Sequence, residues 1–269
     1  MPSDPTIVLI HGFWVTPRSW ENWVARYESQ GHTVIAPAYP GLEAEVESLN
    51  ADPSPLEALT VDGILAHLES VVAPLDRPPI LIGHSAGGVF TQLLLDRGFG
   101  AAGVAINSAP TEGVRVLPPS QLKATFSILS HPSTRHEAAP LTPEQWHYAF
   151  ATTLDEEGSR ALYDRYHVPA SGAIFWESVL ANVKPGHQAT YVDYRNDERA
   201  PLLFITGSED KLMPPSVQHS NAKHYKSDTV TEVKDFEGRD HATIATPGWE
   251  EVADYALSWA REQATAKPA

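Results

Sequence analysis

Cysteine is absent from all 269 residues, which excludes disulfides, thiolate nucleophiles and cysteine metal sites together. No apolar run approaches the roughly 18 residues of a spanning helix, so no membrane partner is expected. No positively charged amino-terminal segment leads into an apolar stretch and a cleavage site, and the expected location is the cytoplasm. Basic residues are in deficit: 19 Lys and Arg stand against 34 Asp and Glu, a formal charge of -15 with the histidines neutral. A field of that sign repels phosphate backbones, which removes nucleic acid from the expected partners and leaves a small-molecule substrate.

Nucleotide and metal signatures are missing as well. There is no Gly-x-x-x-x-Gly-Lys-Ser/Thr loop, and Gly12 is followed by Phe13 and Trp14, where a dinucleotide-binding turn needs small residues close to the pyrophosphate. No His-Glu-x-x-His helix or compact calcium loop occurs, and His131 and His136 lie in a proline-containing segment with no third ligand nearby. Neither a cofactor nor a metal is expected.

What is present is an alternation of apolar runs and helical stripes in a chain that is 42% hydrophobic. Thr6 to Ile10, Thr33 to Ala36, Pro79 to Ile82, Ala102 to Ile106, Leu202 to Ile205 and Thr229 to Val233 read as strands. Between the first two, Trp20, Trp23, Val24 and Tyr27 recur at helical spacing, with Pro17 placed to begin that helix and Gly31 to end it. Ile64, Leu65, Leu68, Val71 and Val72 mark another helix, and Val252, Tyr255, Ala256 and Trp259 a terminal one. Repeated strand-helix-strand units predict an α/β fold with a mostly parallel sheet covered on both faces. Residues 110–199 have helix-like patches but no core strand and read as an insertion, dividing the chain into core residues 1–109, the insertion, and core residues 200–269. Ala264 to Ala269 read as a loose tail.

The most informative segment is Gly83-His84-Ser85-Ala86-Gly87. A Gly-x-Ser-x-Gly pattern between a buried strand and a helix fits the strained turn that lifts a serine hydroxyl above a sheet, with the glycines removing side chains where the chain reverses. His11-Gly12-Phe13-Trp14 follows the first strand on the side where parallel sheets bind ligands. The backbone N–H groups of Phe13 and Ala86 are therefore candidates for stabilising a developing oxyanion.

On these segments the chain resembles the α/β-hydrolase superfamily, in particular its small, cap-bearing, esterase-like members. The resemblance implies an eight-stranded, mostly parallel sheet, an inserted helical cap, and a catalytic Ser, acid and His in that chain order. Ser85 is then the nucleophile, Asp210 beyond the Leu202 to Thr206 strand the acid, and His241 in the last loop the base. His219 and His224, soon after Asp210, match the base position less well, and Asp240 is left to orient its loop or face water. Trp14 and His84 beside the turns, and Trp146 and Trp176 in the insertion, are candidate substrate contacts. The implied activity is hydrolysis of small or medium apolar carboxylic esters through an acyl-enzyme. Lactone, amide or carbon-carbon hydrolysis, cofactor-free oxygenase or lyase chemistry, and a non-catalytic binding module are the alternatives.

Overall fold

The computed structural model describes residues 4–181 and 184–266. Strand β1 (Ile7–Ile10) is buried along its length, as a run of apolar side chains requires when both sheet faces are covered. Thr16 caps a 3-10 turn, Pro17–Trp20, by accepting from the Arg18 N–H, and helix α1 (Glu21–Ser29) follows with Trp23 and Tyr27 buried. Gly31 lies at φ +87, a left-handed conformation that glycine adopts without strain just past a helix end. Strand β2 (Val34–Ile35) is short, because Pro37 beyond it has no N–H to extend a ladder. Helices α2 (Val46–Ala51), α3 (Ser54–Glu57) and α4 (Val61–Val72) lead to β3 (Ile80–His84), and α5 (Ala86–Asp96) leads to β4 (Ala102–Ile106).

The excursion between β4 and the next core strand contains α6 (Pro119–Leu129), β5 (Ala138–Ala139), α7 (Pro143–Ala149), α8 (Glu156–Tyr166), β6 (Ala170–Ser171) and α9 (Gly172–Leu180). The core resumes with β7 (Leu202–Gly207), α10 (Pro215–His224), β8 (Thr231–Phe236) and α11 (Trp249–Ala266). Helix α11 thus takes in Ala264 to Ala266, which the sequence assigned to a loose tail; Lys267 to Ala269 lie outside the described residues.

The central sheet has the order β2-β1-β3-β4-β7-β8 and is parallel throughout. Among the described residues it has six strands, not the eight that the family resemblance implied. β5 and β6 pair antiparallel with each other, apart from this sheet. The edges explain why: β2 is too short to template a neighbour, and β8 is largely half-buried or exposed, with Glu232, Lys234 and Asp235 along it, a charged edge that discourages further pairing.

Successive residues of each strand feed opposite faces. Val8, Ile10, Leu81 and Phe204 join one apolar cluster with α4 and α5, whereas Ile7, Leu9, Ile82, Val104 and Leu203 join a second with Trp20, Trp23 and α11. The strand order reverses between β1 and β3, so the crevice beyond their carboxyl ends is the place where such sheets bind ligands. The His11-Gly12 turn and Ser85 follow these two strand ends directly.

Candidate active site

Ser85 sits between β3 and α5 at φ 56, ψ -118, a strained conformation for a side-chain-bearing residue that persists only when its surroundings enforce it. They do so through three backbone bonds: Ser85 N–H donates to the Ile106 carbonyl at 2.9 Å, and the Ser85 carbonyl accepts from Gly88 and Ala109 at 3.0 Å each. A Cβ on Gly83 would collide with the Gly87 backbone, and one on Gly87 with the backbone of Ile10 and His11. A Cβ on Gly12 would stand 2.8 Å from the Ser85 Cβ. The backbone preceding Phe13 is therefore packed directly against the serine, while Ala86 opens α5, whose first N–H groups have no acceptor within the helix.

Asp210 follows β7 in a tight turn. One carboxylate oxygen, Oδ1, accepts from the N–H groups of Leu212 at 2.8 Å and Met213 at 2.7 Å. The other, Oδ2, lies 2.7 Å from His241 Nδ1, with both side chains fully buried. With the carboxylate accepting, Nδ1 carries the hydrogen and Nε2 is left as the basic nitrogen. His241 Nε2 has no hydrogen-bond partner among the described residues. The sequence-predicted acid and base are thus in direct contact, and the base loop meets the serine turn through His84, whose Nε2 lies 2.8 Å from the His241 carbonyl. The neighbouring Glu209 points away, its half-exposed carboxylate 3.5 Å from Lys211. His219 pairs instead with Asp235 on the surface, and His224 bonds the Ser220 carbonyl within α10.

One support had no assigned role in the sequence, and a second had two readings left open. Asn107, buried directly after β4, donates from Nδ2 to the Asp240 carbonyl at 2.9 Å and accepts on Oδ1 from the Gly207 N–H at 2.9 Å. One amide therefore ties the strand end that leads to Asp210 to the residue before His241. Its sequence signal is a polar residue placed immediately after an apolar strand. Asp240 does not face water. It is buried and accepts on Oδ2 from the N–H and hydroxyl of Thr153, anchoring the insertion to the base loop. Burial pushes its carboxyl upward, the Thr153 bonds opposing that shift.

The serine opens onto a cavity of about 430 Å³ lined by Phe13, Trp14, Ser85, Ala86, Phe90, Leu117, Phe175, Val179, Leu212 and Met213, among others. Arg115 is the one charged residue on its wall. Trp14, expected to contact substrate, does line it, although at φ 62 and with its indole N–H held by the Ala139 carbonyl at 2.9 Å. The other three expected contacts do not. His84 is buried behind the serine, and burial, aided by the neighbouring His241, holds its pKa well below the usual value. Trp146 is 1% exposed and stacks on Phe150 at 4.2 Å, and Phe150 in turn meets the His241 ring edge-on at 4.7 Å. Trp176 donates to Thr134 Oγ1 and lies under the Arg135 guanidinium. An aromatic residue of the insertion has two apolar destinations, its own core or the cavity, and helical spacing alone does not separate them.

A family model described as the alpha/beta hydrolase family matches residues 7–255. The chain belongs to the alpha/beta hydrolase family. Similar solved structures include an extracellular alpha/beta-hydrolase from a Paenibacillus species, 20% identical with a TM-score of 0.70, covering 96% of this chain and 99% of that one. A monoacylglycerol lipase from Paleococcus ferrophilus is 19% identical, TM-score 0.67, over 97% of this hydrolase and 96% of the other. A pyrethroid hydrolase from Sphingobium faniae is 18% identical, TM-score 0.64, over 95% and 97%. At these identities the likeness is one of fold. Comparison with curated protein sequences gave no match.

Proposed function

We propose that this alpha/beta hydrolase cleaves small or medium apolar carboxylic esters, with Ser85 as nucleophile, His241 as general base and acid, and Asp210 as the residue that orients the imidazole. The observation that carries this reading is the buried 2.7 Å contact between Asp210 and His241, whose loop bonds to His84, the residue before a strained serine that opens into an apolar cavity. Residues 110–199 serve as the cap over a core made of residues 1–109 and 200–269. The similar structures whose names include a lipase and a pyrethroid hydrolase agree with ester chemistry.

In the first half-reaction His241 Nε2 takes the Ser85 proton as Oγ attacks the ester carbonyl, and the imidazolium then protonates the departing alkoxide. Asp210 stabilises that imidazolium through Nδ1, and its two backbone bonds keep it from rotating away. The tetrahedral oxygen is taken by the N–H groups of Phe13 and Ala86, a pair of donors of which each is worth about 2.7–4 kcal/mol in comparable sites. Water, activated by the same base, then releases the acid and restores Ser85. Trp14 and Phe175 bound the space for the acyl or alcohol group. A cavity of about 430 Å³ is within the usual range for a small ligand.

A serine-directed phosphonate probe tests the reading. Labelling confined to Ser85, abolished in Ser85→Ala together with turnover of a p-nitrophenyl ester series, is the expected result. A folded protein that takes up no label and turns over no ester overturns it.

A further inference from the structure

We infer that the substrate of this site carries an oxyanion remote from its scissile ester, a carboxylate or a phosphate, and that Arg115 receives it at the cavity rim. The inference rests on the ester-hydrolase reading above and narrows its substrate class.

Arg115 belongs to the loop between β4 and α6 and is exposed, yet it lines the same cavity as Ser85. Every other lining residue is uncharged. Its immediate surroundings offer no counter-ion: Val116 and Leu117 follow it, 37% and 58% exposed. Among the described residues no carboxylate lies within ion-pair distance of its guanidinium. Arg18, Arg26, Arg97, Arg160, Arg165, Arg239 and Arg261 are each held by an Asp or Glu, and Arg135 and Arg199 lie over the rings of Trp176 and Tyr225.

A guanidinium beside apolar walls keeps its charge and presents a planar fork of donors matched to two oxygens of a carboxylate or phosphate. The net charge of -15 repels an anion at long range. Recognition must therefore come from short-range, bidentate contact at the rim, which is what an unpaired arginine supplies. The apolar lining of the cavity, Phe175, Leu117 and Val179 included, takes the hydrocarbon portion. The class implied is an amphiphilic ester: an apolar chain with the reacting carbonyl at one end and an oxyanion at the other.

The test compares p-nitrophenyl alkanoates with p-nitrophenyl half-esters of dicarboxylic acids over a matched chain-length series. In the wild-type protein the ratio of kcat/KM, half-ester over alkanoate, should pass through a maximum at the chain length whose carboxylate reaches Arg115 while the ester carbonyl lies at Ser85. Arg115→Gln should lower that maximum by roughly five- to ten-fold, and Arg115→Lys should retain part of it. A purely structural role would move both arms together and leave the ratio alone. A ratio that is flat with length, or unmoved in Arg115→Gln, overturns the inference. If neither ester arm is turned over, the hydrolase reading fails by itself. The oxyanion site is then decided by calorimetric titration of Ser85→Ala, with and without Arg115→Gln, using an alkyl carboxylate, an alkyl phosphate and a neutral amide of equal length. Tighter binding of either anion that disappears with Arg115→Gln supports the inference and says which anion is preferred. Equal binding of all three overturns it.

Discussion

His84 Nε2 lies 2.8 Å from the backbone carbonyl of His241, so the residue before the serine holds the loop that carries the imidazole. The carbonyl accepts, which requires the hydrogen on Nε2, and burial of His84 favours that neutral form. Removing the bond leaves a buried carbonyl unpaired at a cost of about 1–3 kcal/mol, part of it as a displaced base. His84→Ala is expected to lower kcat roughly ten-fold with KM little changed, and a donor at the same place, in His84→Gln, should restore part of the loss. Steady-state kinetics on folded variants checks both; equal losses in kcat for the two substitutions would reduce His84 to packing.

Asp210→Asn preserves size but reverses the polarity of the group facing Nδ1. The imidazole then adopts the wrong tautomer, and comparable triads lose on the order of 10⁴-fold in kcat. His241→Ala should lose at least as much. Single-turnover kinetics with circular dichroism as the control for folding separates these losses from misfolding. Near-normal turnover in folded Asp210→Asn would remove Asp210 from the acid role.

Gly12→Ala places a methyl carbon 2.8 Å from the Ser85 Cβ, closer than packed carbons tolerate. The serine, already in a strained turn, is the element that must shift. Activity should fall by at least about 100-fold, the scale of a roughly 1 Å misplacement at a reacting centre, while the urea midpoint changes little. Measuring both on one preparation makes the comparison; an unfolded Gly12→Ala, or one with full activity, goes against it.

Stability should fall with acid below the ordinary histidine range. Burial lowers the pKa of His11 to about 4 and that of His167 to about 4. Both folded values lie below the unfolded one of about 6.5. The unfolded chain therefore binds more protons between those limits, so stability is complete above pH 6.5 and is lost as pH falls toward 4. His167 Nε2 also accepts from the Leu141 N–H at 3.1 Å, a bond that protonation abolishes, so the insertion is affected first. Urea unfolding between pH 7 and pH 4.5 measures the slope, which should be shallower in His167→Gln.

The core strands and the residues proposed as a triad were legible in the sequence for one physical reason: parallel strands buried on both faces appear as unbroken apolar runs, and candidate reacting groups are sought beyond their carboxyl ends. Ser85 and Asp210 stand just beyond such runs, whereas His241 follows the charged edge strand β8 and was placed by its position in the last loop. Apolar runs marked the six strands of the central sheet, β2 among them, and the count of eight came from the family resemblance; the two-residue strands β5 and β6, apart from that sheet, leave no periodic pattern. His84, expected as a substrate contact, is a tether, and of the two readings left open for Asp240 the loop-orienting one agrees with its bonds to Thr153. Trp146 and Trp176 have the same composition signal as Trp14, but the last follows a core strand, whereas the first two are held by Phe150 and Thr134 inside the insertion. Arg115 had no periodic or motif context at all.

Trp14, Leu212 and Ala242 belong to the same apolar cluster as Trp146 and Phe150, separate from the two clusters that sandwich the sheet. The turns that follow Asp210 and His241 thus rest on the insertion as well as on the strand ends, to which Asn107 and His84 tie them. The packing of the insertion is thereby a second requirement for activity: gentle heating that loosens it should switch the protein off while its sheet is still intact, and cooling before the sheet melts should switch it back on.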